Sequence, residues 1–199
     1  MPYSFFDNIL RIAADDYLAT NSDIFRVRRL GIKQIRIEIS SLACSFVDIG
    51  DQWSSQKKWM HQFENVASII FVADISSYDE VILENPGYNR LMESLVLFDN
   101  VVNSQWFVQS SVILLLSNFG RFKEKLYASP LERYFCDYTG GIDLNRAMDY
   151  ILFRFKGVNR SDLTLYTYWT DPGDPGLLHF IKNAVQDTVI ERSLKILNS

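Results

Sequence analysis

The chain has 199 residues, with 20 Lys+Arg against 24 Asp+Glu and a formal net charge of −4. Apolar residues make up 48% and charged residues 22%, the profile of a globular chain able to bury a sizeable core in one domain, or in one large and one small. The mild, scattered acidity excludes the basic face on which nucleic-acid binding depends. Only nine glycines occur; none precedes a lysine and no two stand two apart. The sequence therefore holds neither a Gly-x-x-x-x-Gly-Lys-Ser/Thr phosphate loop nor a Gly-x-Gly-x-x-Gly dinucleotide fingerprint.

Apolar runs fall far short of the roughly 20 residues a membrane span needs. Met1-Pro2-Tyr3 has no basic lead-in to an apolar run and no Gly at position 2, so neither a signal peptide nor N-myristoylation is expected. Cys44 and Cys136 are too few for a disulfide framework and suit a reducing, cytoplasmic setting. With only His61 and His179 beside them, no structural zinc site is expected.

In chain order, apolar residues at 5, 6, 9, 10, 12, 13, 17 and 18 predict an amphipathic helix over 4–18. Lys33–Ile39 alternates, with Ile35, Ile37 and Ile39 on one face, and predicts a half-buried edge strand. A second strand is expected over 43–49 and a polar, Lys-containing helix over 54–65. Residues 67–73 and 111–116 are continuous apolar runs, the pattern of strands buried on both faces. Leu91, Leu95, Phe98 and Val102 set a helix over 88–103, and another is expected over 144–155. A strand over 163–168, the breaker Asp171-Pro-Gly-Asp-Pro-Gly176 and a long helix over 177–197 complete the chain. Strands alternating with helices predict an α/β fold.

Several segments together carry a resemblance that none carries alone. Phe25-Arg26-Val27-Arg28-Arg29-Leu30-Gly31-Ile32 resembles the first switch of heterotrimeric G-protein α subunits. Asp48-Ile49-Gly50-Asp51-Gln52-Trp53, followed by Lys57-Lys58-Trp59-Met60-His61-Gln62-Phe63, resembles their second switch. Asn89-Arg90…Glu93, Leu97-Phe98-Asp99, Asn103-Ser-Gln-Trp106-Phe107, Ser129-Pro130-Leu131 and Asp137-Tyr-Thr-Gly-Gly141 follow in the family's order. The stretch 137–160 is similar to the fungal α subunits linked to cyclic-AMP signalling.

The resemblance implies a Ras-like, mostly parallel sheet with flanking helices, lacking the family's first strand, phosphate loop and first helix. Residues 1–24 then correspond to the last helix of the helical domain and its linker, and 25–199 to a partial G domain. It implies GTP/GDP and Mg²⁺ as ligands, with Arg26 at the position that neutralises transition-state charge and Gln52 at the one that orients water. Asp48 matches the carboxylate near the magnesium; Gly50, Ser117, Asn118 and Thr170 stand at nucleotide-contact positions. Taken singly, an arginine in a basic turn is a solvated cation and an aspartate ending a strand is a turn residue.

The departures fall on the nucleotide contacts. Arg29, a cation, replaces the threonine that ligates magnesium, and Asp51 replaces the glycine that meets the γ-phosphate. The arginine that locks the active state onto a helix glutamate has become Gln56, although that glutamate is retained as Glu93. Guanine is read in this family by Asn-Lys-x-Asp; here the positions hold Ser117-Asn118-Phe119-Gly120, with Gly120 where the carboxylate belongs. The loop that caps the base through a backbone N–H reads Thr170-Asp171-Pro172-Gly173, and a proline has no N–H.

Lys57, Lys58, Trp59 and His61 resemble the patch that docks on the βγ dimer; read alone, Trp59 is equally a core aromatic and the lysines a solvated helix face. The expected function is G-protein signalling through a βγ dimer, receptor or effector with nucleotide binding and hydrolysis impaired, a pseudo-GTPase. Such a protein sits in the cytoplasm or peripherally at the inner plasma membrane through its partners. A functional GTPase and an inert fragment are the alternatives. In the family's sheet the lacking strand lies between 43–49 and 67–73. Those two strands must pair directly, stay open at marginal stability, or be joined by a partner.

Overall fold

The computed structural model describes residues 33–39, 42–49, 66–82 and 85–197, together with Arg11 and Phe63. They fall into two compact units, 1–59 and 60–199.

In the first unit, β1 (Lys33–Ile39) and β2 (Leu42–Asp48) form an antiparallel pair. The register sets Ile35 opposite Phe46, Ile37 opposite Cys44 and Ile39 opposite Leu42, so one face is apolar throughout. The Gln34 side chain donates to Ser45 Oγ at 2.6 Å on the other face. β1 has the predicted bounds, and β2 starts one residue before its predicted span and ends one before it. The alternation predicts a half-buried strand, yet Ile35 and Ile37 remain exposed. Alternation reports which side chains share a face, and burial needs a layer laid over that face.

The second unit is built on a parallel sheet in the order β3 (Ser68–Asp74), β6 (Ser111–Ser117), β7 (Leu165–Trp169). β3 (Ser68–Asp74) runs into a 3₁₀ turn (Ile75–Asp79), then into a small antiparallel pair of β4 (Val81–Ile82) and β5 (Asn85–Asn89). Helix α1 (Arg90–Val102) begins at Asn89, whose side-chain oxygen accepts the Met92 N–H at 2.8 Å. β6 (Ser111–Ser117), α2 (Phe119–Ala128), α3 (Leu144–Val158), β7 (Leu165–Trp169) and α4 (Leu177–Leu197) follow.

Every residue of β6 from Ser111 to Leu116 is buried, as its unbroken apolar run predicts for a strand between two others. On one face Phe71, Ala73, Val112, Leu114 and Leu116 meet Leu91, Leu95 and Phe98 of α1, Phe122 and Leu126 of α2, and Ile151 and Phe155 of α3. Phe98 lies edge-on to Phe71 and Phe155, with ring centroids 5.0 and 5.2 Å apart. On the other face α4 packs against β6 and β7. A hydroxyl chain from Ser68 through Ser111 to Thr188 (2.8 and 2.7 Å) ties β3, β6 and α4 together.

The α4 side of β3 is different: Val72, in register with buried Leu115, is 59% exposed. Among the described residues β2 pairs with β1 and β3 with β6, and neither strand has a second ladder. Two elements have no counterpart in the sequence reading: α2, whose Phe119-Phe122-Leu126 spacing is helical, and the short β4–β5 pair.

Candidate functional site

In a parallel sheet flanked by helices, ligands bind beyond the carboxyl ends of the strands. Here that end is formed by Asp74, the last residue of β3, by residues 117–120 at and beyond the end of β6, and by residues 170–176 after β7.

Asp74 turns back on its own chain, accepting the Ser76 N–H at 2.9 Å and the Ser76 hydroxyl at 2.7 Å. Its backbone carbonyl accepts the Ser77 hydroxyl. Ser117 donates its hydroxyl to the Ala73 carbonyl at 3.1 Å, which commits it to the β3–β6 ladder. Beside this turn the Lys125 ammonium from α2 donates to the Ser76 carbonyl at 2.7 Å and to the Asp79 carboxylate. Tyr78, packed against Phe122 and Tyr134, donates its hydroxyl to the Ser129 carbonyl. Burial, with Asp79 and Tyr134 adding to it, pushes its pKa up to about 12.

The centre of the site is the start of α2. Asn118, its N-cap, lies in the left-handed region (φ 60°) and makes no side-chain capping bond. The first two amides of the helix find partners on the β7–α4 loop instead. The Phe119 N–H donates to the Thr170 carbonyl at 3.2 Å. The Gly120 N–H donates to both carboxylate oxygens of Asp171, at 3.0 and 3.1 Å. Thr170 is buried and extends the β6–β7 ladder through its N–H to Leu116. The loop is bonded within itself: the Asp174 carboxylate accepts the Gly176 N–H at 2.8 Å and the Thr170 hydroxyl at 3.2 Å. Phe119 rests against Trp169 at 5.9 Å, and Tyr168 stacks on Phe180 at 4.6 Å.

Ser117, Asn118, Gly120, Thr170 and Pro172 thus meet at one end of the sheet, with Asp171 among them. Asp48 ends β2 in the first unit. Arg26, Arg29, Gly50, Asp51, Gln52, Lys57, Lys58, Trp59 and His61 lie outside the described residues. Glu93 is exposed in the first turn of α1.

For a guanine nucleotide with magnesium, this end offers poor chemistry. The amides at the α2 N-terminus are spent on Thr170 and Asp171, position 120 has no side chain, and Pro172 has no N–H. Among the described residues no cluster of three or more His, Cys, Asp or Glu side chains could hold a metal. Position 120 thus supplies no carboxylate and position 172 no N–H at this end of the sheet.

The sequence reading names Asp171 only as one residue of the 170–173 loop and does not reach its bond to α2. The signal was the paired occurrence of a glycine at 120 and a carboxylate at 171. It also missed the cluster of Asp137, Tyr150 and Arg154. There Tyr150 donates to Asp137 at 2.6 Å, and Arg154 donates to Asp137 at 3.1 Å and to the Tyr150 oxygen at 2.7 Å. The Arg154 guanidinium also lies over the rings of Phe135 and Tyr150. The Tyr150 hydrogen bond, ahead of the Arg154 charge, holds the Asp137 carboxyl below the usual range.

A three-stranded parallel core flanked by helices, with its loops gathered at the carboxyl ends, is consistent with a Ras-like α/β domain. The chain matches the family model for the G-protein alpha subunit over residues 1–189 and belongs to that family. It is 46% identical over 193 residues to a guanine nucleotide-binding protein alpha-3 subunit of Neurospora crassa, covering 96% of this chain and 54% of the relative. An alpha-3 subunit of Mycosarcoma maydis is 44% identical with the same two coverages. A subunit alpha of Cryptococcus neoformans var. neoformans serotype D is 44% identical, with 96% of this chain and 45% of the relative covered. The chain thus spans about half the length of the curated relatives it matches. Among the described residues no helix is long and apolar enough to cross a membrane.

Proposed function

We propose that this chain takes part in G-protein signalling as an α-subunit-like protein that binds its partners without cycling a guanine nucleotide. The observation that carries this reading is the Asp171 carboxylate bonded to the Gly120 amide at the base-reading end of the sheet. Arg29 and Asp51 at the magnesium and γ-phosphate positions support it from the sequence. The partners are a βγ dimer, met through Lys57, Lys58, Trp59 and His61, and a receptor or effector. Through them the protein sits peripherally at the inner plasma membrane.

Two measurements test this. Purified βγ dimer should bind the chain at micromolar concentration or tighter, and Trp59→Ala should weaken that binding. Melting with Mg²⁺ and GTPγS should show no shift, whereas a ligand present at 100 times its Kd adds about 2.7 kcal/mol of stability. A second reading, a working GTPase, is favoured by Arg26 and Gln52 at the arginine and glutamine positions and by the relatives' names. A melting shift at millimolar GTPγS decides for it. Failure of both assays leaves an inert fragment.

A further inference from the structure

We infer that Asp171 is a built-in occupant of the α2 N-terminus, a clasp holding the β6–α2 and β7–α4 loops in one state that needs no ligand. The inference rests on the nucleotide-independent reading and deepens it by naming the group that replaces the ligand.

A helix start leaves its first amides without partners inside the helix, and their dipoles favour an anion. The usual source of relief is the N-cap side chain, but Asn118 in its left-handed conformation supplies none. The carboxylate comes instead from 51 residues away, on the loop that leads into α4. Both of its oxygens lie within 3.1 Å of the Gly120 nitrogen, and the adjacent Phe119 amide is taken by the Thr170 carbonyl. The same loop is braced by Asp174, so the carboxylate is presented from a bonded turn.

The two positions are interlocked by space as well as by charge. A Cβ added at Gly120 would lie 3.3 Å from Asp171 Oδ2, tighter than ordinary contact, and 3.6 Å from Oδ1. Gly120 has no positive φ, so its glycine serves the approach of Asp171 and not an unusual backbone. An acidic side chain at position 120 would set two carboxylates against one amide. Glycine at 120 and aspartate at 171 are therefore one device. It joins α2 to the loop that leads into α4, and α4 itself is tied to β6 through Thr188 and Ser111.

The experiment is amide exchange by NMR on the full chain, with melting temperatures alongside. In the wild type the Gly120 amide should be protected without any ligand; Asp171→Ala should speed its exchange about fivefold or more and lower Tm. Asp171→Asn, which keeps a neutral acceptor of the same size, should fall between them and serves where Asp171→Ala does not fold. Gly120→Ala should lower Tm in the wild type, where the new methyl crowds the carboxylate. It should raise Tm in Asp171→Ala, where only helix propensity remains. An unprotected Gly120 amide in the wild type, or a Gly120→Ala effect of the same sign in both backgrounds, overturns the clasp alone. GDP with Mg²⁺ that raises the wild-type Tm while Gly120 stays protected overturns the nucleotide-independent reading and leaves the clasp standing.

Discussion

Replacing Lys125 by methionine tests how the turn after β3 is held. The Lys125 ammonium reaches across from α2 to the Ser76 carbonyl at 2.7 Å and to the Asp79 carboxylate, and lies 5.6 Å from the centroid of the Tyr78 ring. The two charged side chains are only 20% and 15% exposed. An exposed pair contributes at most about 1 kcal/mol, whereas removing one partner of a fully buried pair costs about 3–5 kcal/mol. At this depth the loss of the ammonium should cost about 2–4 kcal/mol, most of it from the Asp79 charge left without its cation. For a chain of this size that is a fall in Tm of about 4–16 °C. Urea unfolding of Lys125→Met, Asp79→Asn and the double variant measures it. The double variant should lose less than the sum of the singles, because neutralising Asp79 removes the stranded charge. A cost for Lys125→Met under 1 kcal/mol, or strict additivity, would refute the reasoning.

Phe98→Ala should cost about 3–5 kcal/mol, because the ring is fully buried between Phe71 and Phe155; a urea midpoint close to wild type would contradict the packing. Asn118→Val should destabilise by about 1–2 kcal/mol while Asn118→Gly stays near neutral, since a β-branched side chain resists the left-handed conformation; thermal melts of both variants decide it. Burial first, and then the hydrogen bond to Asp137, push the Tyr150 pKa from 10 up to about 12. Its folded pKa lies above the unfolded one, so the stability it brings is full below pH 10 and is lost as pH rises toward 12. Tyr150→Phe should flatten that alkaline limb, read by urea midpoints between pH 9 and 12, with Tyr78, Tyr138, Tyr166 and Tyr168, whose pKa values are also raised, contributing to what limb remains.

The elements with strong periodicity were legible in the chain itself. The apolar runs give β3 and β6 within a residue or two, the helical spacing of Leu91, Leu95 and Phe98 gives α1, and the Pro-Gly breaker at 172–176 sets the start of α4 at 177. Helix α2 escapes the sequence pattern because Gly120 stands near its start and its polar residues outweigh Phe119, Phe122 and Leu126. The β4–β5 pair escapes the sequence reading because two residues of β4 carry no period to detect and β5, Asn-Pro-Gly-Tyr-Asn, has the composition of a turn. At the site, the residue types were plain from the chain: glycine at 120, aspartate at 171 and proline at 172. Where those side chains turn was not.

The sequence by itself determined family membership, the α/β pattern and the absence of a side chain at position 120, because each is a matter of residue type and spacing along one chain. Only the tertiary structure decided that the carboxylate at 171 meets the amide at 120, and that Val72 is left uncovered while its neighbour in register is buried. Both depend on contacts between segments more than forty residues apart, set by how β3, β6 and β7 align and by which of them α4 lies across. A local pattern says which face a side chain takes; it does not say what the rest of the chain brings to that face.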